Sequence, residues 1–278
     1  MTLVGNNVQP IADVRALYLD LLKSSLLNLV YPEADASIVI GVRPGEWVLK
    51  KAASLFGIQL TKPLKGSDRQ EGMDWPTFAH TMIGSKRLSN LQSCVESVLQ
   101  DNIPGDLIET GVWRGGACIL MRGVLKAYGV TDRRVWVADS FEGLPRPTND
   151  VDRQDISGNL YRYKELAVSV DRVKANFSRY GLLDDQVEFL RGWFSQTLLQ
   201  APIERLAIAR LDGDMYESTR DAITALYPKL SVGGYLIVDD YGMIPACKLA
   251  IDEYRATYKI TEPIVSIDWT GVFWRRDH

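Results

Sequence analysis

Four aspartates stand at the ends of two apolar runs in this 278-residue chain. The stretch "ARLDGDMYESTRDA" carries Asp212 and Asp214 just past an apolar run, and "GGYLIVDDYG" ends another apolar run in Asp239 and Asp240. Carboxylates gathered at neighbouring strand ends repel one another, and some take up protons unless a cation sits among them. A hard ion such as Mg²⁺ takes oxygen ligands of this kind in an octahedron completed by water or substrate. If the two strands are adjacent, Asp212, Asp239 and Asp240 can converge on one ion. Asp214 lies two residues beyond Asp212, so in an extended chain end it points the same way. A hydroxyl oriented by the ion has a lowered pKa, and a nearby carboxylate can take its proton; Asp214 is the expected general base. Each stretch also has a plain structural use, the first as a helix cap and the second as a turn.

The remaining composition leaves acid–base and metal chemistry to carboxylates. His80 and His278 are the only histidines, too few for a thiolate–imidazole zinc site, and no G-x-S-x-G elbow occurs. Cys94, Cys118 and Cys247 are widely spaced and odd in number, which argues against a disulfide framework and fits a reducing compartment. A net charge of −3 gives no electrostatic reason to expect nucleic acid as a partner. No stretch approaches the roughly 18 apolar residues of a membrane span. The N-terminus lacks a basic region followed by an apolar core, so the expectation is a cytoplasmic protein without a membrane partner.

Around these residues the chain reads as a helical N-terminal part followed by alternating strands and helices. Residues 11–30 carry apolar residues at helical spacing, and "SNLQSCVESVLQ" (89–100) reads as a second helix opening at Ser89. Residues 31–75 mix short apolar patches with Pro and Gly and give no clear pattern. From "DLIETG" (106–111) onward, strands alternate with helices to a final antiparallel pair, "EPIVSID" with "GVFWRR". Such alternation implies a mostly parallel sheet with helices on both faces. Residues 1–100 are expected to form a helical extension and residues 101–278 the main domain. The polar segment 142–165 is long for a loop inside such a domain, and is expected to be a mobile lid whose Tyr161, Arg162 and Tyr163 could meet a substrate. Trp47, Phe56 and Trp75 could line a substrate site, with core or subunit packing as the plainer use.

In an open α/β sheet the ligand crevice lies beyond the carboxyl ends of the strands. "IETGVWRGGA" occupies that position. Gly111 allows a tight turn, and Gly115 and Gly116 remove side chains where a ligand could approach the chain. Asp139, at the end of "RVWVADS", could accept hydrogen bonds from a ribose diol. The glycine spacing departs from G-x-G-x-x-G, and Glu109 points a negative charge into the turn. A pyrophosphate would be disfavoured there, whereas a nucleoside with a cationic end, such as S-adenosylmethionine, would be favoured. Close packing of a structural turn is the competing use of these glycines.

The block "PGDLIETGVWRGGACILMRGVL…VWVADSFEGLP", with "RLDGDMYEST" and "YPKLSVGGYLIVDDY", resembles the macrocin O-methyltransferase family over essentially the whole chain. The resemblance implies a Rossmann-like class I methyltransferase fold, α/β with a seven-stranded mostly parallel sheet, helices on both faces and an N-terminal helical extension. It implies S-adenosylmethionine and Mg²⁺ as cofactors, a hydroxyl of a (deoxy)sugar on a glycosylated natural product as acceptor, and a homodimer or larger assembly. Carried over by position, Glu109, Thr110 and Gly111 would meet the methionine end of the donor, Asp139 and Ser140 the ribose, and Gly192, Trp193 and Phe194 the adenine. Thr81, Met82 and Asp212 complete the expected donor contacts. Asp212, Asp239 and Asp240 are the expected metal ligands. A catechol or other phenol remains open as the acceptor, because a vicinal diol is all that the metal demands.

Overall fold

The structure, a computed structural model, describes residues 11–40, 44–64 and 66–278. The first ten residues, on which part of the reading of the N-terminus rests, lie outside that range. In the N-terminal part, α1 (Ile11–Leu26), β1 (Ser37–Ile38), α2 (Pro44–Ser54), β2 (Thr61–Lys62), α3 (Gly66–Glu71) and α4 (Ser85–Gln100) follow in order. Strands β1 and β2 pair antiparallel, away from the main sheet. The main part is built from β3 (Asp106–Thr110), α5 (Gly116–Ala127), β4 (Val135–Asp139), α6 (Asp150–Gln154), α7 (Val170–Arg179), β5 (Val187–Arg191) and α8 (Phe194–Thr197). It continues through β6 (Leu206–Leu211), α9 (Tyr216–Leu226), β7 (Leu230–Val238), α10 (Pro245–Tyr258), β8 (Val265–Ser266) and β9 (Val272–Arg275).

Seven strands form one sheet in the order β5-β4-β3-β6-β7-β9-β8. The first five run parallel, and β9 turns antiparallel to β7 and β8, as the terminal pair predicted. The chain winds outward from β3 to β5, then returns to start again at β6 beside β3. The carboxyl ends of β3 and β6 therefore flank the topological switch point, where an open sheet leaves a crevice.

Each sheet face carries its own apolar layer. On one side Leu107 and Val137 pack with Leu120 and Val124 of α5 and Phe177 of α7; on the other Ile108 and Ala209 pack with Ile223 of α9 and Ile251 of α10. Helix α5 is buried all round from Gly116 to Leu125, because α1 and α4 cover the side that faces away from the sheet. A helix apolar on every face needs such a second cover. Leu19, Leu26, Leu91 and Val95 provide it, so these N-terminal helices share one core with the sheet.

Helix α4 begins at Ser85, four residues earlier than its polar start suggested, with Gly84 as N-cap. The added turn is polar in sequence yet buries Arg87, whose charge is met inside the protein. The segment 142–165 carries α6 and 3₁₀ turns at Ile156–Arg162 and Lys164–Leu166. Asn149 and Asp155 start these turns by accepting hydrogen bonds from the amides of Asp152 and Ser157.

Candidate active site

Register decides what meets at the switch point. Thr110 of β3 lies opposite Leu211 of β6, and Leu211 opposite Val238 of β7. Gly111, Asp212 and Asp239 thus come level at the sheet's carboxyl edge. The ladder runs one step further, with Asp212 N–H donating to the Thr110 carbonyl and Asp239 N–H to that of Leu211, both at 2.9 Å.

The glycine turn does two different jobs. Gly111 has φ +85°, and a Cβ there would stand 1.8 Å from the carbonyl oxygen of Asp212. Only glycine lets β3 leave the sheet so close to β6. Gly115 and Gly116 do not open space for a ligand, contrary to the sequence reading. A Cβ on Gly115 would meet Val173 and Phe177, and one on Gly116 would meet the His80 carbonyl and Thr81. They seat α5 against α7 and the 80–81 strap. Arg114 holds that strap with Nη1 hydrogen bonds to the carbonyls of Thr77 and Ala79.

Two cavities adjoin over the sheet edge. The first, of about 280 Å³, is lined by Met82, Gly111, Asp139, Ser140, Trp193, Phe194 and Asp212 among others. Asp139 accepts the amides of Val112 at 2.8 Å and Phe141 at 2.7 Å, which ties the end of β4 to the glycine turn. Burial pushes its carboxyl above the usual range, and these amides pull it back. Ser140 donates to the Gly143 carbonyl at 2.8 Å. Gly192 donates its amide to the Asp139 carbonyl at 2.9 Å from behind the wall. Thr110 is fully buried behind Gly111, and among the described residues its hydroxyl has no partner.

The second cavity, of about 430 Å³, includes Trp75, Thr81, Glu109, Tyr163, Asp240 and Trp269 in its wall. The two share Met82, Gly111, Trp113, Leu166, Asp212 and Asp214. Of the donor contacts expected from sequence, Thr81 and Glu109 therefore face the second cavity, and Thr110 and Gly192 line neither. Of the aromatic candidates, Trp75 and Tyr163 line the second cavity, whereas Trp47 and Phe56 are exposed.

The aspartates divide into two environments. Carboxylate oxygens of Asp212, Asp214 and Asp240 lie within 4.8 Å of one another. One Asp240 oxygen is buried without a partner among the described residues. Burial in the crevice, then the charge of Asp239, pushes the Asp212 carboxyl up to about 7. Burial and the neighbouring aspartates hold Asp214 and Asp240 well above the usual carboxylate range. This all-oxygen donor set, with an Asp240 oxygen left open, fits a hard divalent cation. Asp239, the third expected ligand, is oriented differently. One of its oxygens accepts from Arg87 and the other from Arg210.

Arg210 lies fully buried in β6 and also donates to Glu109 at 2.6 Å and to Asp212 at 2.7 Å. It thereby links a wall of the second cavity to the carboxylate edge. Glu109 is buried, which raises its carboxyl while Arg210 opposes the shift, and it also accepts the Cys118 thiol at 3.0 Å. Arg87 is held in turn by Asp268 at 2.9 Å. Sequence reasoning missed both arginines, although "LAIARLD" carries a signal: a guanidinium inside a buried apolar strand must be paired. Trp113 was also missed. It has φ +47°, stands between the cavities and donates its indole N–H to the Glu165 carbonyl at 2.9 Å.

A switch-point crevice between a glycine turn, an acidic strand end and a carboxylate edge, on a seven-stranded sheet of this order, defines a Rossmann-like class I methyltransferase. The sequence model of the macrocin O-methyltransferase (TylF) family matches residues 15–276, and the chain belongs to that family. By family and fold it is an S-adenosylmethionine-dependent O-methyltransferase. It is 53% identical over 263 residues to mycinamicin III 3''-O-methyltransferase of Micromonospora griseorubida, covering 94% of this chain and 96% of that one. It is 54% identical over 264 residues to 8-demethyl-8-(2,3-dimethoxy-alpha-L-rhamnosyl)-tetracenomycin-C 4'-O-methyltransferase of Streptomyces olivaceus, covering 95% and 94%. With demethyldecarbamoylnovobiocin O-methyltransferase of Streptomyces niveus it shares 59% over 209 residues, 75% of this chain and 80% of that one. The solved structure of the O-methyltransferase NovP superposes with a TM-score of 0.83 at 49% identity, covering 95% of this chain and all of that one. Among the described residues no helix is long and apolar enough to cross a membrane.

Proposed function

We propose that this chain methylates a hydroxyl on the sugar, a deoxysugar in the simplest case, of a glycosylated natural product, with Mg²⁺ as the required ion. The observation that carries the reading is the meeting of two cavities at Asp212 and Asp214. One cavity has the features of a nucleoside site, and the other is lined by Trp75, Tyr163 and Trp269. Aromatic walls suit the C–H faces of a sugar ring, and the tetracenomycin relative is named for a rhamnosyl-bearing compound.

When bound, S-adenosylmethionine supplies an electrophilic methyl group and Mg²⁺ supplies positive charge beside the acceptor oxygen. Asp212 and Asp240 are the proposed ligands of the ion, with Asp239, the third ligand expected from sequence, held beside them by Arg87 and Arg210. Asp214, on the wall shared by both cavities, takes the proton of the acceptor hydroxyl. Asp139 and Ser140 hold the ribose, Trp193 and Phe194 flank the adenine, and Gly111 with Met82 borders the methionine end. Trp113 and Leu166 line both cavities, from where they orient the acceptor toward the methyl group and limit entry of water. The three buried, free cysteines support a reducing, cytoplasmic setting. Exposed apolar side chains on α1 and α2, Leu17, Leu21, Trp47 and Val48 among them, support self-association, which sedimentation velocity of the isolated chain decides.

The test is transfer of labelled methyl from S-adenosylmethionine to a panel of deoxysugar-bearing products, mycinamicin III included, after chelation and with or without added Mg²⁺. Restoration by Mg²⁺ is expected. Full activity after thorough chelation refutes the metal. In the same assay Asp212→Asn and Asp240→Asn should raise the Mg²⁺ requirement more than Asp239→Asn, whose carboxylate is already bonded to Arg87 and Arg210.

A further inference from the structure

Helices α9 and α10 start just after the two carboxylate-bearing strand ends, and neither brings its own cap. Their N-cap residues, Met215 and Ile244, have no side chain that can accept a hydrogen bond from the first turn. The missing acceptors come from the segment that walls the second cavity. Asp152 is fully buried; one of its oxygens accepts the Tyr216 amide at 2.6 Å and the other faces the Glu217 amide at 3.3 Å. Asn149 donates to that second oxygen at 2.8 Å. Three residues on, Asp155 accepts the Ala246 amide at 3.0 Å. One short helix, α6, and its cap thus provide the N-terminal caps of both helices, with an anion placed where each helix concentrates its positive end.

The stretch between Asp152 and β6's end makes this more than an anchor. Asp214 has φ +57°, a conformation that costs free energy for a residue with a Cβ, and only Met215 separates it from the capped Tyr216 amide. The same segment puts Asn159, Leu160 and Tyr163 on the wall of the second cavity. We propose that Asp152 and Asp155 are positioning residues that couple the docking of residues 148–166 over the acceptor cavity to the placement of the Asp212–Asp214 and Asp239–Asp240 turns. The inference rests on the second cavity being the acceptor site; its test uses no acceptor, so the two can fail separately.

The experiment is hydrogen–deuterium exchange on the full chain, alone and with S-adenosylhomocysteine. In Asp152→Ala, amides in 148–166 and in 213–218 should exchange together, faster by roughly tenfold or more, as expected for the loss of charge-assisted hydrogen bonds. Exchange in α5 should stay at the wild-type rate. Asp152→Asn should show the same pattern more weakly, since one oxygen is kept while an N–H₂ faces the Asn149 and Glu217 donors. Asp155→Ala should move 241–247 in place of 213–218. Asp150→Ala, an exposed neighbour on α6, should change nothing. The proposal is overturned if 148–166 is released while 213–218 keeps its wild-type rate. It is also overturned if α5 accelerates equally in both Asp152→Ala and Asp152→Asn, because that describes general loss of stability.

Discussion

The two cavities proposed as the donor side and the acceptor side are held by different means. On the donor side, Gly111, Asp139 and Asp212 are fixed by the sheet: Asp139 is the last residue of β4, Gly111 and Asp212 sit one residue past β3 and β6, and backbone hydrogen bonds continue through them. On the acceptor side, residues 148–166 belong to no sheet. Side-chain carboxylates on helix N-termini hold them, together with the Trp113 indole and an ion pair between Lys50 and Glu165 at 2.7 Å. Under the proposed function, the rigid edge would fix the place of the methyl group, and the strap, held by a few polar contacts, would be the part that admits a glycoside. The first half is held by backbone and the second by side chains.

Asp214 lies where the halves join, so its loss should break the chemistry and spare both walls. Asp214→Asn is expected to lower kcat by about 10²–10⁴, the usual worth of a general base. S-adenosylhomocysteine binding by calorimetry should stay within a few-fold; an active Asn variant removes Asp214 from the role of base.

The donor edge is tested at its glycine. Gly111→Ala puts a Cβ against backbone at a positive φ, so it should cost several kcal/mol, of order 3 or more, and abolish cofactor binding. Gly129→Ala also has a positive φ, of +69°, but nothing within 4 Å of the new Cβ. It should cost only about 1 kcal/mol and leave the site intact. Equal destabilisation of the two in urea titrations would mean that the close approach of β3 and β6 is not what Gly111 serves.

The last test is the pH dependence of the metal-free chain. Asp212 moves from an ordinary value of 3.8 when unfolded to about 7 when folded. Between these values the folded chain binds more protons than the unfolded one, so stability is greatest at the acid end and declines as pH rises toward 7. The melting temperature without metal should fall by several degrees over that window, at ~2–4 °C per kcal/mol for a chain of this size. Added Mg²⁺ should flatten the slope, and a melting temperature that climbs steadily from pH 4 to 7 without metal would contradict it.

Much of this was legible in the residues. The alternation of short apolar strands with helices specifies a parallel sheet, because period and turn chemistry are local properties. The ends of β3, β4, β6 and β7 can be read from apolar runs that stop at Gly111, Asp139, Asp212 and Asp239. Residue types alone also point to an oxygen-ligated cation and a cationic nucleoside. What the sequence does not specify is which atoms face each other. Register turns both oxygens of Asp239 toward Arg87 and Arg210 and gathers Asp212, Asp214 and Asp240 into one triangle. Close approach assigns Gly115 and Gly116 to packing on Phe177 and the His80 strap. Asp152, in a polar stretch that reads as solvated loop, is buried as the cap of a helix that begins 64 residues later. Local spacing determines the elements and their ends, and only the folded chain decides the partners of a charged side chain, because burial and pairing depend on residues far apart in sequence.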